Sequence, residues 1–196
     1  MAEEFARLGC RVTGIDPSEA SLEAARAHAE QSGLEIDYHR GVGEHLPFED
    51  ASFDTVYCCD VLEHVDDLAH VIAETARVLR PGGIYLYDTL NRTLPSRVIA
   101  IKVWQEWQST AFMEPNVHDW RMFIKPRELH SLLLRNALAP GPIQGMAPGV
   151  NPVEMIRILR QRARGEMGYA EFGRRVQLRE SRDRSVIYAG YAVRAA

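Results

Sequence analysis

The chain has 196 residues, 46% of them apolar and 26% charged, with a net charge of -4, the make-up of one water-soluble globular domain able to bury a core. No apolar run approaches the ~18–20 residues of a membrane span, Met1-Ala2-Glu3-Glu4 does not begin a signal peptide, and the acidic balance gives no general footprint for nucleic acid. The three cysteines, Cys10, Cys58 and Cys59, read as reduced thiols and point to a cytoplasmic setting.

Ala2, Phe5, Ala6 and Leu8 share one face of a short helix that Gly9 ends. Residues 11–16 read as a strand closing on Asp16, and Pro17-Ser18 opens a helix with Ser18 as its cap. Leu22, Ala25 and Ala29 form the buried stripe of that helix, which Gly33 stops. Ile36 and Tyr38 alternate with Glu35, Asp37 and His39 as a short strand, and residues 41–48 form a loop. The stretch 53–65 starts as an apolar run suited to a strand buried on both faces, then gathers Asp60, Glu63 and His64. Leu68, Val71, Ile72, Thr75, Ala76 and Leu79 recur at three and four, an amphipathic helix that Arg80-Pro81-Gly82-Gly83 is expected to end. Residues 84–88 read as another buried strand, so the first half predicts βαβ units and a parallel sheet.

Beyond Thr89 the pattern changes. Residues 95–107 predict an unusually apolar helix, which covers the sheet or faces something apolar. Residues 115–120 are irregular, and Pro126 opens a helix through Leu129, Leu132 and Leu133. Residues 140–152 read as a Gly/Pro-rich connection to a helix with Val153, Ile156 and Leu159. Nine arginines lie between 157 and 184; they read as a solvated helical face, with an anionic membrane surface as the alternative. Residues 186–193 read as a closing strand.

Ligands of open α/β sheets bind beyond the carboxyl ends of the strands, where Asp16 and the group Asp60, Glu63 and His64 fall. An acid at Asp16 suits two ribose hydroxyls of a nucleoside-bearing cofactor; it equally suits an ordinary cap before Pro17-Ser18. Asp60, Glu63 and His64 are three and four apart, so one helical turn can direct all three to one side. His118-Asp119 sets a histidine beside an acid in an irregular segment, either a general base or a surface-loop pair.

The order and spacing of Asp16, the 43–48 loop, the 53–65 stretch and Leu79-Arg80-Pro81-Gly82-Gly83 resemble the class I methyltransferases that use S-adenosylmethionine. Thr89-Leu90-Asn91-Arg92-Thr93, His118-Asp119-Trp120, Phe123-Ile124-Lys125-Pro126-Arg127-Glu128-Leu129 and Gly145-Met146 with Asn151-Pro152 look like the ubiquinone-biosynthesis O-methyltransferase family. That resemblance runs from residue 1 to about 152, with a weaker fit at the final strand. It implies a Rossmann-like class I methyltransferase fold with a mostly parallel central sheet, residues 1–89 serving the cofactor and 90–196 the substrate. The implied reaction moves a methyl group from S-adenosylmethionine to a hydroxyl of a polyprenylated catechol or quinol. Asp16 would hold the ribose, Glu44 and His45 would flank the adenine, and Cys59 would line the pocket. His118 with Asp119 would be catalytic, and Asp60, Glu63 and His64 would hold a magnesium ion, the family usually carrying Glu at position 60. Because the family's substrate has an isoprenoid tail, residues 95–107 are expected to meet lipid or the tail, which would set the protein against the inner membrane as a peripheral contact.

The family also has a first strand and a Gly-rich loop ahead of the point where this sequence starts, and Gly9, Gly14 and Gly41 do not replace them. Such a strand would lie between residues 11–16 and 53–58, and its absence would leave two inner edges unpaired. A truncated reading of a longer gene is therefore expected. Two other readings stay open: a class I methyltransferase for another small acceptor, and a degenerate domain that only binds a lipid or a partner.

Overall fold

A computed structural model describes the whole chain, Met1–Ala196. Its strands fall into two sheets. In the first, β1 (Val12–Asp16) and β2 (Ile36–Arg40) pair in parallel from Val12↔Ile36 to Asp16↔Arg40. They are joined by α2 (Glu19–Gln31), whose start is fixed locally: the Ser18 hydroxyl accepts from the Ser21 N–H at 3.3 Å, and Asp16 Oδ1 accepts from the Ser18 N–H at 2.7 Å. Gly9 and Gly33, with φ of +86° and +65°, take the left-handed conformations that end α1 (Ala2–Arg7) and α2, as their spacing predicts.

The second sheet has the order β3-β4-β7-β5-β6, made of β3 (Phe53–Cys58), β4 (Leu79–Leu90), β5 (Leu138–Ala147), β6 (Arg179–Ser181) and β7 (Ile187–Arg194). Only β3 and β4 pair in parallel; β7 runs antiparallel to both β4 and β5, and β6 antiparallel to β5. The fold is the expected Rossmann-like α/β one, with parallel pairing confined to β1–β2 and β3–β4 and an antiparallel extension built by the last three strands. The outer side of β1 and the free side of β3 carry no strand partner, so the two sheets present open edges. Phe5 of α1 stacks on Tyr57 of β3, ring centroids 5.0 Å apart.

The core lies under β4, β7 and β5. Helices α3 (Leu68–Val78) and α5 (Pro126–Arg135) bring Val71, Ile72, Ala76, Leu129 and Leu133 onto Leu79, Tyr85, Tyr87, Leu138 and Tyr188. The three-and-four spacing of apolar residues in α3 is the reason it buries one face there. A smaller cluster of Leu90, Ala100 and Phe123 seats the segment after β4, and Ile158, Met167 and Val176 join α6 (Pro152–Ala163) to α7 (Tyr169–Val176).

Three local expectations change. Arg80-Pro81-Gly82-Gly83 do not form a connection after α3: β4 starts at Leu79, and these residues occupy the irregularity between the Phe53↔Leu79 and Thr55↔Ile84 pairs. Residues 140–152 are not a free connection either, because β5 runs through Pro140-Gly141-Pro142. The ladder to β7 shifts between Pro140 and Ile143, where a residue without an N–H is tolerated. A Cβ at Gly141 would stand 2.4 Å from the Tyr191 ring, which is why glycine fits that close approach. Finally, the apolar segment is a short turn, α4 (Leu94–Ser96), continuing as a π-helix over Arg97–Glu106. Thr93 and Ser96 form its capping box. The arginines of α6 and α7 are partly engaged within their own hairpin: Arg175 pairs with Glu154 at 3.0 Å, and Arg162 lies 4.0 Å over the Tyr169 ring. No helix is long and apolar enough to cross a membrane.

Candidate active site

Beyond β3 the chain makes a positive-φ step at Asp60 (+54°) and then a short 3-10 turn over Leu62–His64. Asp60 therefore precedes the turn that carries Glu63 and His64, so the one-turn helical spacing expected for the three does not hold. The Asp60 N–H donates to Asp88 Oδ1 at 2.9 Å, fixing the step against the end of β4. Partial desolvation and the neighbouring Asp88 carboxylate raise the pKa of Asp60.

Glu63 turns inward and is only 2% exposed. Its Oε2 accepts from the Thr89 hydroxyl at 2.8 Å, while Oε1 has no hydrogen-bond partner. Burial outweighs the Thr89 bond and pushes its carboxyl up to about 7. His64, on the exposed side of the turn, stacks on His118 with ring centroids 5.0 Å apart and an interplanar angle of 30°. Burial, helped by His64, lowers His118 to about 4, so its ring is neutral at pH 7.

Gln105 holds His118. This side chain is buried; its Oε1 accepts from the His118 N–H at 2.6 Å and its Nε2 donates to the His118 carbonyl at 3.3 Å. Phe123 meets the His118 ring edge-on at 5.9 Å. Asp119, by contrast, makes no hydrogen bond to His118. Its carboxylate caps the 3-10 turn Trp120–Met122 by accepting from the Arg121 N–H and pairs with Arg121 Nη2 at 2.7 Å. The partner that the structure gives His118 is thus His64, from the turn after β3, and not its sequence neighbour.

One carboxylate and two imidazoles converge: the ligand atoms of Glu63, His64 and His118 all lie within 4.8 Å of one another, and Asp60 stands outside the group. Magnesium takes near-octahedral oxygen ligands, so the set that assembles does not fit the ion implied for Asp60, Glu63 and His64.

The other expected positions lie on neighbouring segments. Asp16 ends β1, with one carboxylate oxygen on the Ser18 N–H. Glu44 Oε1 accepts from the N–H groups of Asp66 and Asp67 at 3.0 and 3.3 Å, tying its loop to the segment after the turn. His45 closes an isolated bridge with Val42 and is exposed. The loop is anchored from beneath by Arg77, which donates to the Leu46 and Phe48 carbonyls at 2.9 and 2.7 Å. Cys59 is half-buried, and burial together with Asp88 pushes its thiol up to about 12, so it is neutral at pH 7. Sequence reasoning missed Gln105, Thr89 and Asp88. A strand ending in acid was the signal for Asp88; Gln105, one of several polar residues on the apolar segment, had none.

Comparison with known proteins follows the same lines. The family described as a methyltransferase domain matches residues 1–87. A ubiquinone biosynthesis O-methyltransferase of Methylocella silvestris is 49% identical over 129 residues, covering 66% of this chain and 50% of that protein. The protein of the same name from Ruegeria pomeroyi is 39% identical over 156 residues, covering 78% of this chain and 60% of that one. The chain thus spans about half to three-fifths of the length of such relatives. Among solved structures, a SAM-dependent methyltransferase of Methanosarcina mazei aligns with a TM-score of 0.66 at 16% identity, over 100% of this chain and 87% of that one. A possible histamine N-methyltransferase of Thermotoga maritima gives a TM-score of 0.60 at 17% identity, over 96% and 74% of the two chains; at such identities the likeness is one of fold. By sequence the chain is thus similar to the ubiquinone biosynthesis O-methyltransferases, and by fold to the SAM-dependent methyltransferases.

Proposed function

We propose that the protein transfers a methyl group from S-adenosylmethionine to a hydroxyl of a polyprenylated catechol or quinol, as in ubiquinone biosynthesis. The observation that carries this reading is the 49% identity over 129 residues to a ubiquinone biosynthesis O-methyltransferase, in a chain whose β3 leads directly into the Glu63–His64–His118 cluster.

S-adenosylmethionine, when bound, supplies a methyl group on a sulfonium centre. The chain has to hold that cofactor and the acceptor in line and to take up the hydroxyl proton of a phenol whose pKa is about 10. Asp16 has a carboxylate oxygen left over from its Ser18 bond to accept from a ribose hydroxyl. The Gly43-to-Phe48 loop, with Glu44 and His45, is assigned to the adenine side, and Cys59 to the pocket wall. Deprotonation is assigned to the Glu63–His64–His118 cluster, in which Glu63, raised to about 7, is the group poised to accept a proton at neutral pH, while burial makes His118 the weaker base. Asp119, committed to Arg121, is left out of that step, and no step passes through magnesium.

Leu94, Val98 and Trp107 are 71%, 49% and 52% exposed around the π-helix, while Ala100 and its neighbours face Leu90 and Phe123. We assign the outward face to the isoprenoid tail or to a lipid surface, where an amphipathic segment with an aromatic residue is at home.

Calorimetric titration with S-adenosylhomocysteine, followed by mass spectrometry of a short-tailed prenyl catechol incubated with S-adenosylmethionine, tests the reading. The expected results are saturable binding, weakened at least tenfold by Asp16→Ala, and the gain of one methyl group by the catechol. Methylation of unrelated phenols or amines at the same rate would refute the acceptor class, and unchanged binding by Asp16→Ala would refute the ribose role.

A further inference from the structure

The segment from Thr93 to Trp107 carries two helical patterns that disagree. In the structure its main part is the π-helix Arg97–Glu106, closed by the Trp107 N–H on the Lys102 carbonyl, five residues back, at 2.8 Å. The residues buried along it follow that wide turn: Ser96, Ala100 and Gln105 are four and five apart. Its apolar residues follow another period. Ala100, Val103, Trp104 and Trp107 stand three, one and three apart, the stripe of an α-helix. At ~100° per residue, an α-helix puts Val103, Trp104 and Trp107 within about 60° of the line through Ala100, and Gln105 about 140° away. The π register therefore buries an amide, with Gln105 only 5% exposed, and leaves Trp107 52% exposed; the α register exchanges them. A π-helix of 10 residues is itself rare, since the form occurs mostly as single turns within α-helices, frequently at functional sites.

What holds the π register is the pair of bonds from Gln105 to the His118 backbone. His118 depends on them in turn. Residues 114–118 make no backbone–backbone hydrogen bond, so Gln105 is the polar tie that keeps this segment against the site. The Thr93–Ser96 capping box fixes the N-terminal end in either register, and residues 107–119 lie outside any helix or strand and can take up a change of register. We propose that residues 97–107 switch between a π register, which seats His118 against His64, and an α register, which buries Trp107 and releases His118. The registers set the Gln105 bonds against the burial of an indole, so each has a contribution the other lacks, as a two-state element requires. The two registers rest on this geometry alone; that the switch governs proton uptake rests on the role proposed above for the cluster.

Hydrogen exchange and fluorine NMR test the switch. Exchange of the His118 N–H reports the released register. In protein labelled with 5-fluorotryptophan, the shift of the Trp107 resonance on moving from water to deuterium oxide reports exposure of that indole; Trp107→Phe identifies the resonance. The ring neighbours of His118 are His64 and Phe123, not Trp107. Trp107→Gln nevertheless removes the group that the α register buries, so it is expected to slow His118 exchange at least about tenfold. Gln105→Lys opposes its own burial, and Trp107 is expected to lose most of its solvent shift. If circular dichroism shows that Gln105→Lys fails to fold, the exchange rate in Trp107→Gln decides alone. Unchanged or faster His118 exchange in Trp107→Gln would overturn the proposal, as would a full Trp107 solvent shift in folded Gln105→Lys. Neither readout involves methyl transfer, so failure of the switch and failure of the proposed reaction are told apart.

Discussion

Glu74→Gln tests the clamp beneath the Gly43-to-Phe48 loop. Glu74 Oε1 and Oε2 accept from Arg77 Nε and Nη2 at 2.7 and 2.8 Å, and Oε2 also accepts from the Leu46 N–H at 2.8 Å. Arg77, so oriented, donates to the Leu46 and Phe48 carbonyls and to Asp50. The Arg77 hydrogen bonds bring the Glu74 carboxyl down from 4.5 to about 2. At 1.36 kcal/mol per pKa unit, that depression is worth at most about 3 kcal/mol of stability at pH 7. Because the folded-state pKa is the lower one, the contribution is complete above pH 4.5 and fades as pH falls towards 2; at pH 3.5 roughly 2 kcal/mol remain. The amide keeps the shape and one acceptor but not the charge. Urea denaturation of wild type and Glu74→Gln should thus differ by about 2–3 kcal/mol at pH 7, and the difference should shrink by roughly 1 kcal/mol at pH 3.5. A gap that is the same at both pH values, or no gap at pH 7, would refute the assignment of the stabilisation to the ionised pair.

Other predictions follow from packing and exposure. Gly145→Ala sets a Cβ 1.7 Å from the Asp183 carbonyl oxygen; since backbone cannot yield, thermal denaturation should show a loss above the ~1–3 kcal/mol of ordinary overpacking. Gly173→Ala, inside α7 with nothing within 4 Å of the new methyl, should raise stability by about 0.5–1 kcal/mol. Gln105→Ala unties both polar groups of the His118 backbone and should lower stability by roughly 1–3 kcal/mol, read by urea titration. Flotation with anionic liposomes should carry the protein upward, and Val98→Ser with Trp107→Ser should abolish that; flotation unaffected by the pair would remove the lipid role of this face.

Much of the fold was legible in the chain because its signals are local. The Ser18 cap, the Gly9 and Gly33 stops and the three-and-four stripe of α3 depend on residues within a turn or two, and each appears where its spacing puts it. The 80–83 and 140–142 segments misled because Pro and Gly mark a bulge in a paired strand as readily as a loop, and only a neighbouring strand distinguishes the two. The site divides in the same way. Sequence alone singled out Asp16, Glu63, His64 and His118 as residues with chemistry, since strand-end acids and an isolated histidine can be read one segment at a time. The tertiary structure decided their company: it put His118 on His64 and gave Asp119 to Arg121. A positive φ at Asp60 moved that acid out of the turn, and Gln105 and Thr89 became the supports of the cluster. The Gln105–His118, Glu63–Thr89 and His64–His118 contacts join residues 13 to 54 positions apart, and a pairing over such a distance is set by how sheets and helices stack, which no local pattern encodes; the Asp119–Arg121 pair, two residues apart, is local.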